Sequence, residues 1–286
     1  MSLNSQPMRM CGQHIHRDRV IEIQNPFTGE CIGTVPKATV DDIRQAFDFA
    51  HAYRPRLSRY ERSDILQKAA NLVVQRAAQI SDLITLESGL CKKDSLYEAG
   101  RVRDVLIFGA NAALQDDGQT FSCDITPDGR QRRFYTQRDP LLGVISAITP
   151  FNHPMNQVAH KIVPAIATNN RMVLKPSEKV PLSALLLADI LYEAGLPPAM
   201  FQVVTGDPTE IAHELLTNPH IDLVTFTGGV AIALKSANPN IRVIGVQVRA
   251  CAPYAGSQPA DGPIVTLADG IAVKQPGEFT RPIIEQ

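Results

Sequence analysis

Between residues 141 and 227, short apolar runs alternate with stretches of helical periodicity. The apolar runs span 143–149, 172–175, 202–205 and 223–227, and the helical stretches span 156–167, 182–193 and 209–216. Continuous apolar strands that alternate with helices are typical of a parallel sheet covered on both faces. The pattern therefore predicts an α/β fold for this part of the chain.

The residues before 141 show a different pattern. Short apolar runs separated by turn sequences occupy residues 8–36, which predicts strands. Helical periodicity is found in three later stretches, at 39–50, about 59–80 and about 92–114. Residues 121–138 are polar and contain the turn Pro127-Asp128-Gly129, which indicates an exposed hairpin rather than a core segment. A largely helical N-terminal region therefore precedes the predicted sheet.

The composition disfavours several classes of protein. The 286 residues are 44% hydrophobic and 20% charged, which is typical of a globular protein. A net charge of −1 gives no global field that would attract nucleic acid or an anionic membrane, so we expect neither as a partner. No apolar run approaches the roughly 18 residues that cross a bilayer. Residues 1–19 are polar and lack the apolar segment of a signal peptide.

The five cysteines are odd in number and far apart, and no Cys-x-x-Cys pair occurs. This pattern disfavours a disulfide framework and a structural zinc site, so we expect no metal. Together with the polar N-terminus, it predicts a reducing, cytoplasmic compartment.

Polar residues or glycines follow all four predicted strands. They are Pro150-Phe151-Asn152, Lys175-Pro176-Ser177-Glu178, Gly206-Asp207 and Thr227-Gly228-Gly229. Ligands on open α/β sheets bind outside the carboxyl ends of the strands. The convergence of these residues at one edge of the sheet predicts a ligand site there.

Each of these groups also has an ordinary structural explanation. Gly228 and Gly229 let a phosphate approach backbone N–H groups at a helix N-terminus, or they form a tight turn with no ligand. Lys175, joined by Glu178, can hydrogen-bond ribose hydroxyls, or its ammonium can extend to the surface. The amide of Asn152 can donate to a developing oxyanion, or Asn152 is a routine loop residue.

Three basic residues are candidates for contact with an anion. His153 follows Asn152 and can move protons or bind an anion, although a structural role is more common for such a histidine. Arg101 and Arg103 are two positions apart on a predicted helix, so they cannot easily both face inward. A solvated side chain is the ordinary expectation for each arginine.

Taken together, several strings of this chain resemble the aldehyde dehydrogenase superfamily. They are Asn25-Pro26-x-Thr28-Gly29-Glu30, Leu86-Glu87-Ser88-Gly89, Pro150-Phe151-Asn152-His153-Pro154, Val173-Leu174-Lys175-Pro176-Ser177-Glu178, Gly195-Leu196-Pro197 and Phe226-Thr227-Gly228-Gly229. The resemblance covers about residues 1–233, and the order of the strings makes it specific.

The resemblance implies oxidation of an aldehyde with NAD or NADP, bound by a Rossmann-like domain, through a thiohemiacetal and a thioester. It also implies that Asn152 is the oxyanion donor and that Lys175 and Glu178 hold the adenosine ribose. Further cofactor contacts are implied at Thr149, Pro150, Phe151, Ser177, Gly206, Phe226, Thr227, Gly228 and Gly229. By the same resemblance, residues 121–138 are part of a hairpin that joins subunits of a homo-oligomer.

The substrate expected from this resemblance is an aldehyde that carries an anionic group. Arg101 falls on the helix that lines the family's aldehyde tunnel, and His153 is beside the implied oxyanion residue. Charge-assisted contacts from arginine and histidine suit a phosphonate. Phosphonoacetaldehyde dehydrogenases resemble the chain most, followed by lactaldehyde and semialdehyde dehydrogenases.

The chain also departs from the family pattern. The family's general base lies in a Glu-Leu-Gly-Gly string and its nucleophile in a Gly-Gln-x-Cys string, and neither string occurs here. Cys251 lies in a different context and too close to Gly229 to be that nucleophile. We therefore expect the family's catalytic domain to be missing and the chain to be inactive, since no thiolate is available. The alternatives are a non-catalytic fragment that binds NAD(P) or assembles, and a chimera without function.

The C-terminal residues resemble a second family. Residues 229–286 contain strings similar to threonine dehydratases, which use pyridoxal phosphate, and we assign 234–286 to a stub of that kind. The Schiff-base lysine and most of the phosphate loop of that family belong upstream, so we expect no pyridoxal phosphate. A helical stretch at 230–236 and an apolar stretch at 241–247 are predicted to complete the sheet.

Overall fold

A computed structural model describes residues 5–54, 56–115, 118–136 and 143–227, which lie in one compact unit. The predicted tail elements at 230–236 and 241–247, and the two glycines at 228 and 229, lie outside the described residues. No helix in the described ranges combines the length and the apolar character that crossing a membrane requires.

The N-terminal region contains four short strands and four helices. The strands are β1 (Met8–Met10), β2 (Gln13–Ile15), β3 (Val20–Gln24) and β4 (Cys31–Pro36), and the helices are α1 (Val40–Ala52), α2 (Arg59–Gln75), α3 (Ala77–Ser88) and α4 (Lys92–Leu114). Thr39 begins α1 with a capping box, in which its side chain and that of Asp42 each accept from the other's backbone N–H.

The prediction of one helix over about 59–80 is wrong. The backbone of Arg76 leaves the helical conformation, with φ −104° and ψ 15°, so that α2 ends there and α3 begins at Ala77. The guanidinium of Arg76 contacts both carboxylate oxygens of Glu193, at 2.6 and 2.8 Å. The apolar stripe continues across the break, and for this reason the hydrophobic pattern does not reveal it.

The α/β region has the predicted alternation of strands and helices. Its elements are β7 (Val144–Ile148), α5 (Asn156–Ala167), β8 (Arg171–Lys175), α6 (Leu182–Glu193), β9 (Phe201–Val203), α7 (Pro208–Thr217) and β10 (Leu223–Phe226). The strand order in the sheet is β10-β7-β8-β9-β1-β2, and the pairs among the first four strands are parallel. The predicted parallel sheet is therefore confirmed.

The sheet is covered on both faces, as its continuous apolar strands predict. Val144 and Val173 face one layer, which α1 and α7 form. Ile145 and Leu174, on the opposite face, pack in the cluster that contains α5 and α6 together with α2, α3 and α4. The helical N-terminal region therefore belongs to the same core as the sheet.

The antiparallel extension of the sheet by β1 and β2 was not predicted. Arg9 of β1 lies opposite Val203 of β9, and its buried guanidinium donates to both oxygens of Asp189 on α6, at 2.7 and 2.6 Å. This bidentate ion pair fixes the N-terminal strand to the edge of the parallel sheet.

The hairpin predicted at residues 121–138 is present and begins two residues earlier, at Gln119. Its strands are β5 (Gln119–Ser122) and β6 (Arg133–Thr136), which pair antiparallel and are exposed at every residue. The prediction of a surface hairpin rather than core is confirmed over the described residues, which end here at 136. Its role in joining subunits stays a prediction.

Glu87 on α3 is buried and caps the N-terminus of α6. Its carboxylate accepts the backbone N–H groups of Leu182 and Ser183, at 2.8 and 2.9 Å. Burial raises the pKa of Glu87 from 4.5 to about 7, and the hydrogen bonds from Ser183 and Leu182 oppose the rise only in part. The glutamate of the Leu86-Glu87-Ser88-Gly89 string therefore has a packing role in this fold.

We expect Gly109→Ala in α4 to destabilise the protein by about 1–3 kcal/mol, because an added methyl group overpacks the contact with α5. A Cβ at this position would lie 2.1 Å from Cγ1 of Val163. Gly100→Ala on the same helix is the control, since its Cβ would meet nothing within 4 Å. That change should stabilise by about 0.5–1 kcal/mol through helix propensity. Urea unfolding measures both, and equal effects would contradict the packing argument.

We expect the stability difference between wild type and Glu87→Gln to depend on pH. The folded-state pKa of Glu87, about 7, lies above the unfolded value of 4.5. The contribution of Glu87 to the free energy of unfolding is therefore complete below the unfolded-state pKa. It is lost as pH rises through the folded-state pKa. Glutamine does not titrate. Between these two pKa values, the free energy of unfolding of Glu87→Gln should therefore rise relative to that of wild type by on the order of 2–3 kcal/mol. Unfolding free energies measured across that range test this, and a constant difference would contradict it.

Candidate functional site

The predicted ligand edge coincides with a switch point in the sheet. β7 lies between β10 and β8, so the chain leaves β7 towards one side and returns through β10 on the other. The N–H of Thr227, just after β10, donates to the carbonyl oxygen of Ile148 at 3.3 Å. Ligands of doubly wound sheets bind at such a point, outside the carboxyl ends of the strands. The residues after β7 and β10 therefore lie where a ligand is expected.

Lys175 ends β8 with a buried side chain, so the alternative of an ammonium extended to the surface is wrong. Its Nζ donates to the carbonyl oxygen of Pro176 at 3.0 Å and to Oε2 of Glu178 at 3.3 Å. Burial lowers the pKa of Lys175, and the carboxylate of Glu178 opposes that shift. An ammonium has three protons, so one remains for an acceptor such as a ribose hydroxyl.

The turn after β8 is ordered by its own residues. The buried hydroxyl of Ser177 accepts from the N–H of Lys179 at 3.3 Å. The N–H of Thr149 donates to the carbonyl oxygen of Lys175 at 3.3 Å. Thr149, Lys175 and Ser177 therefore lie near the ends of neighbouring strands, and their contacts with a cofactor stay a prediction.

Gly206 follows β9 in a crowded position. A Cβ there would lie 2.7 Å from Cδ1 of Ile211. Next to it, Asp207 caps α7 and lies 3.1 Å from Nζ of Lys37. Hydrogen bonds from Thr209, with the contact to Lys37, lower the pKa of Asp207 to about 2. A side chain at 206 would therefore require the end of the Ile211 side chain to shift, and the predicted cofactor contact at Gly206 stays a prediction.

The residues after β7 are accessible. Pro150 is half-buried, whereas the ring of Phe151 is exposed, with Nζ of Lys179 5.3 Å from its centroid. Asn152 is exposed and forms no hydrogen bond within the described part of the chain. Its amide is available to a ligand, which is compatible with the predicted oxyanion role.

The predicted pyrophosphate segment is described only in part. Phe226 and Thr227 are half-buried at the end of β10. Gly228 and Gly229 lie outside the described residues, so the geometry of the predicted phosphate contact is not part of the structure.

A buried glutamate that the sequence analysis missed organises the loop after β7. Oε1 of Glu98, on α4, accepts the backbone N–H groups of Met155 and Asn156 at 2.9 Å each. Its Oε2 lies 3.4 Å from Nδ1 of His153. Burial raises the pKa of Glu98, and the two backbone N–H groups and His153 oppose the rise. Glu98 thus fixes both the start of α5 and the imidazole of His153.

Arg101 and Arg103 behave differently, as their spacing predicts. Arg103 is exposed and pairs with the adjacent Asp104 at 2.9 Å, so the solvated alternative is correct for it. Arg101 is half-buried, and its guanidinium carbon lies 5.8 Å from the ring centroid of Tyr97. It lies three positions after Glu98, hence on the same face of α4.

Two basic residues of α5 were also missed. Desolvation lowers the pKa of His160, and the positive charges of Arg101 and Lys161 lower it further. Lys161 donates from Nζ to Oγ1 of Thr225 on β10 at 3.1 Å, and burial lowers its pKa to about 8. We call Arg101, His153 and His160 the basic cluster. In the described ranges, no group of three or more His, Cys, Asp or Glu side chains is arranged to hold a metal.

The missed residues left a signal in the sequence. Glu98 lies four and eight positions before the buried Val102 and Leu106, within the apolar stripe of α4. Glu87 continues the stripe of Ile80 and Ile84 in the same way. A carboxylate in an apolar stripe requires a partner, because burying it unpaired is costly. The apolar stripes therefore indicate that Glu98 and Glu87 each have a partner in the fold.

Comparison with known proteins agrees with this architecture. A sequence model of the aldehyde dehydrogenase family matches residues 14–239. The 3-sulfolactaldehyde dehydrogenase of Priestia megaterium is 38% identical over 230 residues, which are 80% of this chain and 48% of that protein. The NADP-dependent succinate-semialdehyde dehydrogenase of Escherichia coli is 32% identical over 249 residues, 84% of this chain and 50% of that protein.

Solved structures give the same result. An aldehyde dehydrogenase of Physcomitrella patens, in complex with the reaction product succinate, superposes with a TM-score of 0.77 at 29% identity and covers 83% of this chain and 50% of its own. The NADP-dependent glyceraldehyde-3-phosphate dehydrogenase of Bacillus halodurans, complexed with NADP, superposes with a TM-score of 0.76 at 32% identity. The match covers 85% of this chain and 52% of that one. The chain spans about half the length of the relatives it matches. This protein belongs to the aldehyde dehydrogenase family.

Proposed function

We propose that these residues form the cofactor-binding part of an NAD(P)-dependent dehydrogenase that oxidises an aldehyde with an anionic group. The observation that carries the proposal is the buried ammonium of Lys175, paired with Glu178 beside the switch point of the sheet. A lysine so placed, with one proton left for an acceptor, has the chemistry to bind a sugar hydroxyl. The family membership supports the dinucleotide as the source of that hydroxyl.

The described residues fit such a cofactor. Lys175 and Glu178 would hold the adenosine ribose, and the chain after β10 would meet the pyrophosphate. When bound, the nicotinamide accepts a hydride from the substrate. The amide of Asn152, which is exposed at the end of β7, would donate to the substrate oxygen as it gains negative charge. These donors suit NAD and NADP alike, so we propose binding of either.

In this family, turnover requires a general base and a nucleophile that lie in two sequence strings, and these 286 residues contain neither string. Neither a Glu-Leu-Gly-Gly string nor a Gly-Gln-x-Cys string is present. We therefore propose that this chain by itself binds NAD(P) without oxidising an aldehyde, since it lacks the nucleophile that would hold the substrate. We also propose that the threonine dehydratase-like residues 234–286 do not bind pyridoxal phosphate. The scattered cysteines favour a reducing compartment such as the cytoplasm.

The basic cluster, with the permanent charge of Arg101, supports an anionic substrate. His153 contacts Glu98, and Arg101 lies on the same face of α4 as Glu98. Arg101 also lies close enough to His160 to lower the pKa of that histidine. Such groups form strong charge-assisted hydrogen bonds with phosphonate, sulfonate or carboxylate oxygens. The relatives include a sulfolactaldehyde and several semialdehyde dehydrogenases. Phosphonoacetaldehyde is the member of this class that we propose.

We expect millimolar NAD or NADP to raise the melting temperature of the chain, because a ligand that binds only the folded state stabilises it. Lys175→Met should weaken nucleotide binding about tenfold, since it removes a charged donor. Lys68→Met is the control, because Lys68 is exposed and pairs with Asp64 on α2. Calorimetric titration gives the affinities. A cooperative melt that neither nucleotide shifts would refute cofactor binding, and the absence of any cooperative melt would favour a chimera that does not fold.

We expect Arg101→Gln to weaken binding of methylphosphonate at least fivefold, whereas Arg103→Gln leaves it unchanged. The two arginines share a helix and a charge, so the comparison isolates position from net charge. NMR titration of the chain saturated with nucleotide measures the affinity. An equal loss of methylphosphonate affinity in both variants would mean that binding depends only on the overall charge of the protein.

A further inference from the structure

The half-buried side chain of Lys161 has a hydroxyl as its partner and no carboxylate. Nζ donates to Oγ1 of Thr225 at 3.1 Å, and it forms no other hydrogen bond or ion pair with the residues that the structure describes. Several other lysines contact a carboxylate, and they are Lys37, Lys68, Lys92 and Lys175. A hydroxyl oxygen accepts a hydrogen bond but carries no negative charge. Little therefore offsets the cost of holding the charge of Lys161 away from water.

This environment makes the amine of Lys161 a nucleophile near neutral pH. Burial lowers the pKa of Lys161 from 10.5 to about 8. At pH 7 roughly one in ten amines with that pKa is neutral, compared with roughly one in 3,000 for an ordinary lysine. Only the neutral amine has the lone pair that attacks a carbonyl carbon, and desolvated lysines form Schiff bases with carbonyl compounds for this reason.

Lys161 also lies at the edge of the sheet where a ligand is expected. Its partner Thr225 is the second-last residue of β10, and β10 pairs with β7, whose following loop carries Asn152. The charge of Lys161 lowers the pKa of His160, as does that of Arg101. The amine therefore lies beside the basic cluster, where an anionic aldehyde is proposed to bind.

We propose that Lys161 forms a reversible Schiff base with an aldehyde. Nζ attacks the carbonyl carbon and forms a C–N bond, and a proton moves from the nitrogen to the oxygen to give a carbinolamine. A second proton lets that oxygen leave as water, which produces an iminium ion. The step oxidises nothing and needs no thiolate. Its preference for an anionic aldehyde rests on the proposed function, whereas the Schiff base itself does not.

The experiment incubates the full chain at pH 7 with 4-oxobutanoate, an aldehyde that carries a carboxylate, and with cyanoborohydride. This reagent reduces the iminium ion to a stable secondary amine, and peptide mass spectrometry measures the rate at each lysine. We expect Lys161 to react at least tenfold faster than Lys68. The hydrogen bond and charge of Asp64 raise the pKa of Lys68, so its exposed amine is rarely neutral.

Lys161→Arg is the matched variant. Arginine keeps the positive charge and can donate to Thr225, but its guanidinium does not lose a proton and so forms no Schiff base. The fast adduct should be absent from Lys161→Arg and present in Lys68→Arg. The comparison of lysines within wild type gives the same information without either variant.

A second aldehyde tests the preference for an anion. Butanal has the same number of carbon atoms and no carboxylate. We expect Lys161 to react at least fivefold faster with 4-oxobutanoate than with butanal. Arg101→Gln should reduce that ratio, whereas Arg103→Gln should preserve it, because Arg103 already pairs with Asp104.

Other results would overturn one proposal or the other. If Lys161 reacts no faster than Lys68, or if the fast adduct persists in Lys161→Arg, the Schiff base is overturned and the anionic substrate still stands on the methylphosphonate titration. If Lys161 reacts rapidly but at equal rates with both aldehydes, the Schiff base is supported and the preference for an anion fails.

Discussion

The fold depends on hydrogen bonds to the backbone N–H groups at the N-termini of two buried helices, α5 and α6. α5 and α6 are the helices that follow β7 and β8, and their first N–H groups have no partner within the helix. Each unpaired buried group of this kind costs about 1–3 kcal/mol. Glu98 and Glu87 supply the missing acceptors from α4 and α3. The same four hydrogen bonds therefore cap two helices and attach the N-terminal helical region to the sheet.

This arrangement also determines where a ligand can bind. A helix N-terminus attracts anions in many dinucleotide-binding folds. Here a protein carboxylate already occupies the starts of α5 and α6, so an anion there would meet negative charge. Ligand contacts at this edge are left to loops and side chains, which include Lys175, Glu178 and Asn152.

The sequence was sufficient for features that local pattern determines. Strand and helix alternation predicted β7 to β10 within one or two residues, because buried strands and amphipathic helices have distinct periods. It also placed Lys175 and Asn152 at strand ends. It did not reveal the break at Arg76, since an apolar stripe can continue across two helices, nor the addition of β1 to the sheet. The apolar stripe of α4 indicates that Glu98 needs a partner, but its contact with His153 joins residues 55 positions apart, and no local pattern identifies that partner.

The pairing of β1 with β9 has a consequence for how the chain folds. Arg9 lies opposite Val203 and bonds to Asp189, 180 positions away. During synthesis the first strand emerges long before the edge that it joins, so it must wait while most of the described chain is made. Contacts of such sequence separation slow folding, because the intervening loop must close before they can form. Met8 and Met10 of β1 are buried in the folded protein, but until β1 pairs with β9 they are exposed. During that time these apolar side chains can associate with other exposed apolar surfaces, which favours aggregation.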